Sequence, residues 1–318
     1  MVRRHVVTPP RLSLEEISGT GKAAVARALT QVEERADDPT TVALLDEAWL
    51  AQTAHIIGLT GPPGVGKSTL IDAMITRYRK AGRTVAVVAV DPSSRRTGGA
   101  LLGDRTRFYN RAEDHNVFVR SLASRGALGG LTQLAFPSVT LLAALYDYVL
   151  VETVGVGQSE AAVSSVAQTV VLCVQPGSGD SLQFMKAGIM EIPDIAVVTK
   201  ADTGRAARQA LSDLAGALSL GAGHDAPIPQ LAVSATANTG IDELIDALAA
   251  HHRDTEQEKR QATREAQAEA WVREQVEAHF GARGWALLTE KNRLETSRET
   301  PFSQARSALE RLDLSLRD

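Results

Sequence analysis

Residues 61–68 carry the residue types needed to hold a polyphosphate. They match the pattern G-x-x-x-x-G-K-[ST] at every fixed position, and they read Gly61, Pro62, Pro63, Gly64, Val65, Gly66, Lys67 and Ser68. Glycines let successive backbone N–H groups converge on phosphate oxygens without a clash of Cβ atoms, and the start of a helix adds partial positive charge. We expect Lys67 to reach the β- and γ-phosphates, Ser68 to ligate Mg²⁺, and Thr69 to border the same site. The segment predicts a nucleoside triphosphate site and leaves the base open.

Three carboxylates are candidates to complete a magnesium site. Asp91 and Glu152 each follow an apolar run directly, and Asp104 lies in the glycine-rich stretch between them. Mg²⁺ that bridges two phosphates needs hard oxygen ligands and polarised water. An acid of this kind taken alone is more often a helix cap or a turn former, but three of them after the expected strands exceed chance. We expect all three to act at the metal and in catalysis.

The stretch after Glu152, which reads TVGVGQ, resembles a switch loop. Gly155 could offer its N–H to a γ-phosphate and move when that phosphate leaves. Gln158 could orient the attacking water, although an exposed glutamine at the start of a helix explains it as well. Arginines after Asp91 could neutralise transition-state charge or could be surface residues of a mobile loop. These arginines are Arg95, Arg96, Arg105 and Arg107.

A second motif indicates which nucleotide base the site recognises. Thr199, Lys200 and Asp202 follow the apolar run Ile195–Val198 and resemble the guanine motif N-K-x-D. An aspartate there accepts from both N1–H and the 2-amino group of guanine, whereas adenine would leave the carboxylate unpaired. The usual Asn ties neighbouring loops together, and Thr can replace part of that bonding. Ser234 and Ala235 follow the last apolar run, where GTPases supply a backbone contact to guanine, so the ligand pair is GTP/GDP.

The elements that must position these residues are short apolar runs alternating with helical patterns. A continuous apolar run buries both faces of a strand, which is typical of a parallel sheet, and ligands bind at the carboxyl ends of such strands. The fold class is therefore α/β, a P-loop NTPase with a mostly parallel sheet flanked by helices. Predicted strands are Ala54–Leu59, Thr84–Val90, Tyr148–Val151, Thr169–Val174, Ile195–Val198 and Leu231–Val233. Predicted helices are 67–81, 128–146, 181–191 and 205–219.

Helical extensions flank this domain. Ser13 and Glu16 match a capping box at the start of a helical stretch, which Asp37-Asp38-Pro39 divides in two. The second of these helices is expected to bury a face of Ala43, Leu44, Ala48 and Leu50. Beyond residue 250 the chain is highly charged and helical, with a turn at Gly281 and Gly284 and a last helix from Pro301. We expect an N-terminal extension 1–53, a G domain 54–250 and a C-terminal arm 251–318.

Composition excludes several classes of function. The chain has 318 residues and a formal net charge of −4, which disfavours nucleic-acid binding. No apolar run reaches the roughly 18 residues of a membrane span, and the N-terminus has no apolar signal region, so we expect a cytoplasmic protein. Cys173 is the only cysteine, which excludes an intramolecular disulfide and a cysteine-rich metal site. His251 and His252 are expected to be exposed, and His55 to be a satisfied core residue.

Four sequence segments are more specific than the motifs that GTPases in general share. They are Val90–Ser94, Arg96–Asp104, Glu152–Glu160 and Pro176–Gln183. Their sequence resembles the MeaB/ArgK/MMAA family of G-protein chaperones for adenosylcobalamin-dependent acyl-CoA mutases. The resemblance runs through nearly the whole chain, and the loops carry it rather than the strands. It implies a SIMIBI-type G domain and a homodimer formed partly through the C-terminal helices.

The resemblance also implies a partner and a mechanism. Such proteins bind methylmalonyl-CoA mutase or a relative, and GTP binding and hydrolysis gate delivery of adenosylcobalamin and replacement of damaged cofactor. It places Lys67 and Ser68 in the P-loop pair, Asp91, Asp104 and Glu152 among the Mg²⁺ or switch acids, and 176–188 in a third switch. Within that switch, Gln183 and Lys186 are candidates for coupling to the mutase, although Lys186 is equally explained as a solvated helix residue.

Two other functions remain open at this point. A metal-delivery GTPase of the nickel-chaperone kind shares the fold but needs a transfer site rich in cysteine and histidine. A small-molecule kinase or transport ATPase, as older labels for the family have it, would need an acceptor pocket and would tolerate ATP. Asp202 disfavours the kinase or transport ATPase, because a carboxylate at that position favours guanine over adenine.

Overall fold

The computed structural model describes residues 13–91, 111, 113–123, 133–153, 162–177, 193–220, 227–290 and 299–315. The strands are β1 (His55–Thr60), β2 (Val85–Asp91), β3 (Val117–Ala123), β4 (Tyr148–Glu152), β5 (Thr169–Val174), β6 (Ile195–Val198) and β7 (Gln230–Ala232). The helices are α1 (Leu14–Thr20), α2 (Lys22–Glu34), α3 (Pro39–Ala51), α4 (Lys67–Lys80), α5 (Ala135–Ala143), α6 (Arg205–Leu220), α7 (Ile241–Asp254), α8 (Gln257–Glu290) and α9 (Pro301–Ser315). Short 3-10 helices span Val163–Ser165 and Ala201–Thr203.

The strands form one sheet in the order β3-β2-β4-β1-β5-β6-β7, and every ladder in it is parallel. After β1 the chain builds one side of the sheet with β2 and β3. It returns to β4 and then crosses β1 to build the other side. The carboxyl end of β1 therefore lies where the direction of winding reverses, which is where such sheets bind ligands. The predicted parallel α/β fold is confirmed.

The predicted strands agree with the observed ones within a residue at each end, and β5 and β6 agree residue for residue. The strand β3 was not predicted. Arg120 interrupts the apolar pattern in the middle of that strand, and β3 lies at the edge of the sheet. Arg120 is accommodated by Glu33 of α2, with N–O distances of 2.8 and 2.5 Å. An edge strand with one charged residue does not show the continuous apolar run of a central strand.

Alternate residues of the strands enter two hydrophobic cores, one on each side of the sheet. The first core joins the sheet to α1–α3, α5, and parts of α8 and α9. The second joins it to α4 and α7, and a third cluster lies under α6. This double burial explains the continuous apolar runs in the sequence. The N-terminal helices share a core with the sheet, and the predicted boundaries at residues 53 and 250 stay a prediction.

The N-terminal helices begin largely as the sequence indicates. Ser13 accepts from the N–H of Glu16, and the Glu16 side chain accepts from the N–H of Ser13, which is the predicted capping box. The stretch before the break at Asp38 forms two helices rather than one, because the chain turns at Gly21 with a φ of 84°. Leu50 is 77% exposed, so its predicted burial was wrong.

The C-terminal segment packs back on the protein and on itself. The helical run Gln257–Glu290 is interrupted at Gly281, whose φ of 67° is not helical, as the predicted turn required. Val276 before this interruption and Leu288 after it form a small core with Ala308 and Leu312 of α9. Among the described residues, no helix is both long enough and apolar enough to cross a membrane.

The histidine pair near the start of this segment is not exposed as predicted. His251 and His252 lie near the end of α7 and are half-buried against the amino ends of β1 and β5. The rings of His252 and His55 stack with centroids 4.2 Å apart. His55 is buried and hydrogen-bonded through Nε2 to Thr169 Oγ1 at 2.7 Å, as expected of a satisfied core residue.

Candidate nucleotide site

The loop between β1 and α4 depends on glycine at its first position. Gly61 has a φ of 136°, and a Cβ there would lie 2.2 Å from the carbonyl oxygen of Cys173 in β5. Gly66 has a φ of 104° and caps α4, so the helix begins at Lys67. Both conformations are ones that L-residues with a side chain rarely adopt. The predicted phosphate loop thus leads from the central strand directly into a helix N-terminus.

Lys67 is folded over the loop. Its ammonium is buried and donates to the carbonyl oxygens of Gly61 at 2.7 Å and Pro62 at 3.1 Å. Both of these acceptors lie on the phosphate loop itself, so the ammonium is held beside the helix N-terminus, where an anion is favoured. Pro63, Gly64 and Thr69 are exposed, whereas Val65 is fully buried beneath the loop.

Ser68 and Glu152 are in contact although they are 84 positions apart in sequence. The Ser68 hydroxyl donates to Glu152 Oε1 at 2.6 Å, and both side chains are buried. Glu152 ends β4, which pairs with β1 so that Glu152 lies opposite Leu59. A hydroxyl oxygen beside a carboxylate oxygen is a hard donor pair of the kind that Mg²⁺ binds. The structure therefore brings together two of the predicted metal ligands.

The other predicted catalytic and metal residues lie largely outside the described part. Asp91 is the last residue of β2, two positions beyond Ala89, which pairs with Glu152. Its backbone is thus at the same end of the sheet as the loop, and its side chain is not among the described ones. Asp104, Gly155 and Gln158 lie outside the described residues, as do Gln183, Lys186 and the four arginines of 95–107.

Thr199 connects the predicted base-reading turn to the phosphate loop. Its hydroxyl lies 2.7 Å from the carbonyl oxygen of Val65 and 3.0 Å from that of Val174, so one proton is shared between two acceptors. Lys200 adopts a φ of 54° and donates to the Gly64 carbonyl at 3.0 Å and to Gln175 Oε1 at 2.5 Å. The threonine thus supplies the loop-tying contact expected of the usual asparagine.

Sequence reasoning missed Gln175 as a partner of Lys200, and its position directly after β5 is the signal that could have indicated it.

A buried thiol lies nearby under the loop. Burial raises the pKa of Cys173 to about 12, so this thiol is protonated at neutral pH.

Asp202 is exposed and is held by Ser234. The Ser234 hydroxyl donates to Asp202 Oδ1 at 2.5 Å, and Ser234 Oγ accepts from the N–H of Ala237 at 3.1 Å. Backbone bonds between Ser234 and Thr239 close the loop that also carries Ala235. Gly240 permits this closure, since a Cβ there would lie 2.3 Å from the Ala232 carbonyl oxygen. One carboxylate oxygen is therefore oriented by serine at the rim of the site.

Comparison with known proteins identifies the family. Residues 25–288 match the family described as methylmalonyl Co-A mutase-associated GTPase MeaB. The GTPase ArgK of Escherichia coli is 37% identical over 275 residues, which cover 83% of each chain. The mouse protein named methylmalonic aciduria type A homolog, mitochondrial, is 45% identical over 147 residues, covering 46% of this chain and 35% of that protein.

A solved structure agrees over nearly the whole chain. The crystal structure of a protein named LAO/AO transport system kinase matches with a TM-score of 0.65 and 28% identity, covering 94% of this chain and 96% of that one. The family match spans most of the chain, and the E. coli relative aligns over more than two thirds of it. This chain belongs to the MeaB family, and it is a GTPase with the P-loop fold.

Proposed function

We propose that this chain is a GTP-binding, Mg²⁺-dependent GTPase that gates adenosylcobalamin loading and protects or reactivates a B12-dependent acyl-CoA mutase of the methylmalonyl-CoA type. The observation that carries the proposal is the convergence of three parts at one end of the sheet. These parts are the loop 61–68, the Ser68–Glu152 pair and the turn with Thr199 and Asp202. The family description and the name of the mouse relative support the mutase as client.

The roles follow from chemistry. Lys67 exchanges its two carbonyl acceptors for phosphate oxygens, which keeps its buried charge paired. Ser68 and Glu152 hold Mg²⁺, with Asp91 and Asp104 as further acids, and the metal neutralises charge on the phosphates. Gly155 contacts the γ-phosphate and Gln158 orients the attacking water.

Guanine is read at the other end of the site. Asp202 accepts from N1–H and the 2-amino group of the base, while Lys200 lies along it and Ala235 offers its backbone. Ser234 holds the carboxylate oxygen Oδ1 in place before the base arrives, which lowers the entropic cost of binding. Adenine offers no pair of donors to this carboxylate, so ATP is a poor substrate.

Switching is a population shift. The γ-phosphate and Mg²⁺ favour one arrangement of loops 91–107, 153–160 and 176–188. A mutase that prefers this arrangement must tighten GTP binding by the same factor, because linkage is reciprocal. We further propose that the chain acts as a homodimer with 251–318 as the dimerisation arm.

The alternatives are less well supported. Metal delivery needs a transfer site, and the described residues hold no group of three or more His, Cys, Asp or Glu side chains suited to a metal ion. The protein of similar crystal structure is named a transport kinase, but that name belongs to the other protein. Asp202 favours guanine, whereas a small-molecule kinase would tolerate ATP.

The test is GTP hydrolysis by the purified protein, alone and with each adenosylcobalamin-dependent acyl-CoA mutase of its organism, with ATP in parallel. We expect slow GTP turnover, at least tenfold poorer ATP turnover, and stimulation by one mutase. The Lys67→Ala variant serves as the blank for contaminating phosphatases. GTP turnover that no mutase changes would contradict the chaperone role, and equal use of ATP would contradict the role of Asp202.

A further inference from the structure

Two bridges of hydrogen bonds join the turn that begins at Thr199 to the phosphate loop and to the end of β5. The inner bridge is Thr199, whose buried hydroxyl lies 2.7 Å from the carbonyl oxygen of Val65 and 3.0 Å from that of Val174. The N–H of Thr199 also donates to the Val174 carbonyl at 2.8 Å. Both acceptors are backbone carbonyls, so the inner bridge depends on the path of the chain and not on which side chains stand at positions 65 and 174.

The outer bridge is Lys200, the next residue along the chain. Its exposed side chain donates to the Gly64 carbonyl at 3.0 Å and to the side-chain oxygen Oε1 of Gln175 at 2.5 Å. The outer bridge therefore joins the same two segments as the inner bridge, at a position one residue away in each. Among the four acceptors of the two bridges, Gln175 is the one that accepts through its side chain. The outer bridge is thus the part of this arrangement that depends on residue type.

An amide oxygen at position 175 is suited to hold the lysine without cancelling its charge. Lys200 has a long, flexible carbon stem, so confining that stem costs conformational entropy. The backbone of Lys200, with a φ of 54°, fixes where the stem begins, and the bonds to Gly64 and Gln175 fix where it ends. Gln175 is half-buried and neutral, so it accepts from the ammonium and leaves a positive charge beside the phosphate loop.

We propose that Gln175 is a positioning residue for guanine nucleotides, and that it acts by holding Lys200 in place before the nucleotide binds. The inference rests on the proposed function, in which the Lys200 stem lies along the base. A stem that is already held at its ammonium loses little further entropy when the base arrives, so the nucleotide binds more tightly. An apolar stem does not read the hydrogen-bonding edge of the base. Gln175 therefore sets affinity and leaves the preference for guanine to Asp202.

The test is a double-mutant cycle between Gln175 and Lys200. Gln175→Met removes the acceptor and keeps a side chain of similar length, and Lys200→Met removes the ammonium and keeps an apolar stem. Gln175→Ala repeats the removal with a side chain too small to crowd the loop. Gln209→Met is the matched control, since Gln209 is exposed on α6 and donates to Asp213 one turn away. Dissociation constants of GTP and GDP are measured by calorimetry, together with kcat and the melting temperature of each nucleotide-free protein.

We expect Gln175→Met and Gln175→Ala to weaken GTP and GDP alike, by about threefold to tenfold, while kcat stays within about twofold. In the Lys200→Met background the same substitutions should change affinity by less than about 1.5-fold, because the group that Gln175 holds is gone. Gln209→Met should match the wild type. Unchanged affinity in both Gln175 variants would overturn the inference. So would an equal loss in the two backgrounds, since that pattern marks a residue that only supports the fold. A wild type that does not bind GTP would instead contradict the proposed function.

Discussion

Protein stability should fall in mild acid because of the histidine that begins β1. His55 is buried, hydrogen-bonded to Thr169 and stacked on His252. Thr169 Oγ1 is also hydrogen-bonded to His251, whose Nε2 lies 3.3 Å from Asp194, and the Tyr148 ring is 6.2 Å from that of His55. Burial, and then the nearby His252, His251 and Arg260, lower the pKa of His55 from 6.5 to about 3. The folded protein therefore holds this imidazole neutral.

The sign and size of the effect follow from linkage. Between pH 6.5 and about 3 the unfolded chain binds a proton at His55 that the folded protein does not, so stability rises with pH in this window. From pH 7.5 to 5.5 the cost is about 1.4 kcal/mol for this one group. Burial also lowers the pKa of His252, with smaller contributions from Arg260 and His251, so the total loss in the wild type is larger.

The assay is urea unfolding at pH 7.5 and 5.5, followed by tryptophan fluorescence and circular dichroism. The His55→Asn variant keeps a polar side chain toward Thr169 but cannot titrate. We expect its free energy of unfolding to drop by about 1.4 kcal/mol less than that of the wild type over this interval. His279→Asn, at an exposed position on α8, should keep the full drop. Equal drops in the wild type and His55→Asn would refute the reasoning.

Three further predictions concern the nucleotide site. Lys67→Ala should reduce GTP hydrolysis by about a hundredfold or more, because the variant lacks the ammonium that is proposed to stabilise charge on the β- and γ-phosphates. Turnover at the wild-type rate in a phosphate-release assay would remove Lys67 from the site. Asp202→Asn should weaken the binding of GTP by about a hundredfold or more and strengthen the binding of xanthosine triphosphate, because the amide no longer accepts from both guanine donors. Both affinities are measured by competition with a fluorescent nucleotide. An unchanged order of preference among the bases would disprove the role of Asp202. Gly61→Ala should lower the melting temperature of the nucleotide-free protein far more than Gly64→Ala. A Cβ at position 61 would lie 2.2 Å from the carbonyl oxygen of Cys173, whereas a Cβ at position 64 would have nothing within 4 Å. Similar decreases in melting temperature in the two variants would show that the crowding at Gly61 is not decisive.

The sequence alone determined the parts that depend on local pattern. Continuous apolar runs identified the central strands because both of their faces are buried, and β5 and β6 were predicted to the residue. The phosphate loop was readable because backbone conformation there depends on glycine at fixed positions. The guanine turn was readable because the carboxylate at 202 sits at a fixed spacing after a strand. These signals lie within a few residues of chain, so no tertiary information is needed to recognise them.

Only the tertiary structure decided which distant groups meet. The hydrogen bond between Ser68 and Glu152 joins residues 84 positions apart. It forms because the strand next to β1 on this side of the sheet is β4 and not β2, which follows β1 in sequence. The β3 strand was hidden because a lone Arg120 interrupts its apolar pattern, and the partner that compensates the charge is Glu33 on α2. His252 was expected in solvent, yet α7 carries it onto His55. The hydrogen bonds from Gln267 of α8 to the carbonyls of Ser164 and Ala167 likewise have no local signal, because a glutamine on a charged helix is usually solvated and only packing brings these carbonyls to it.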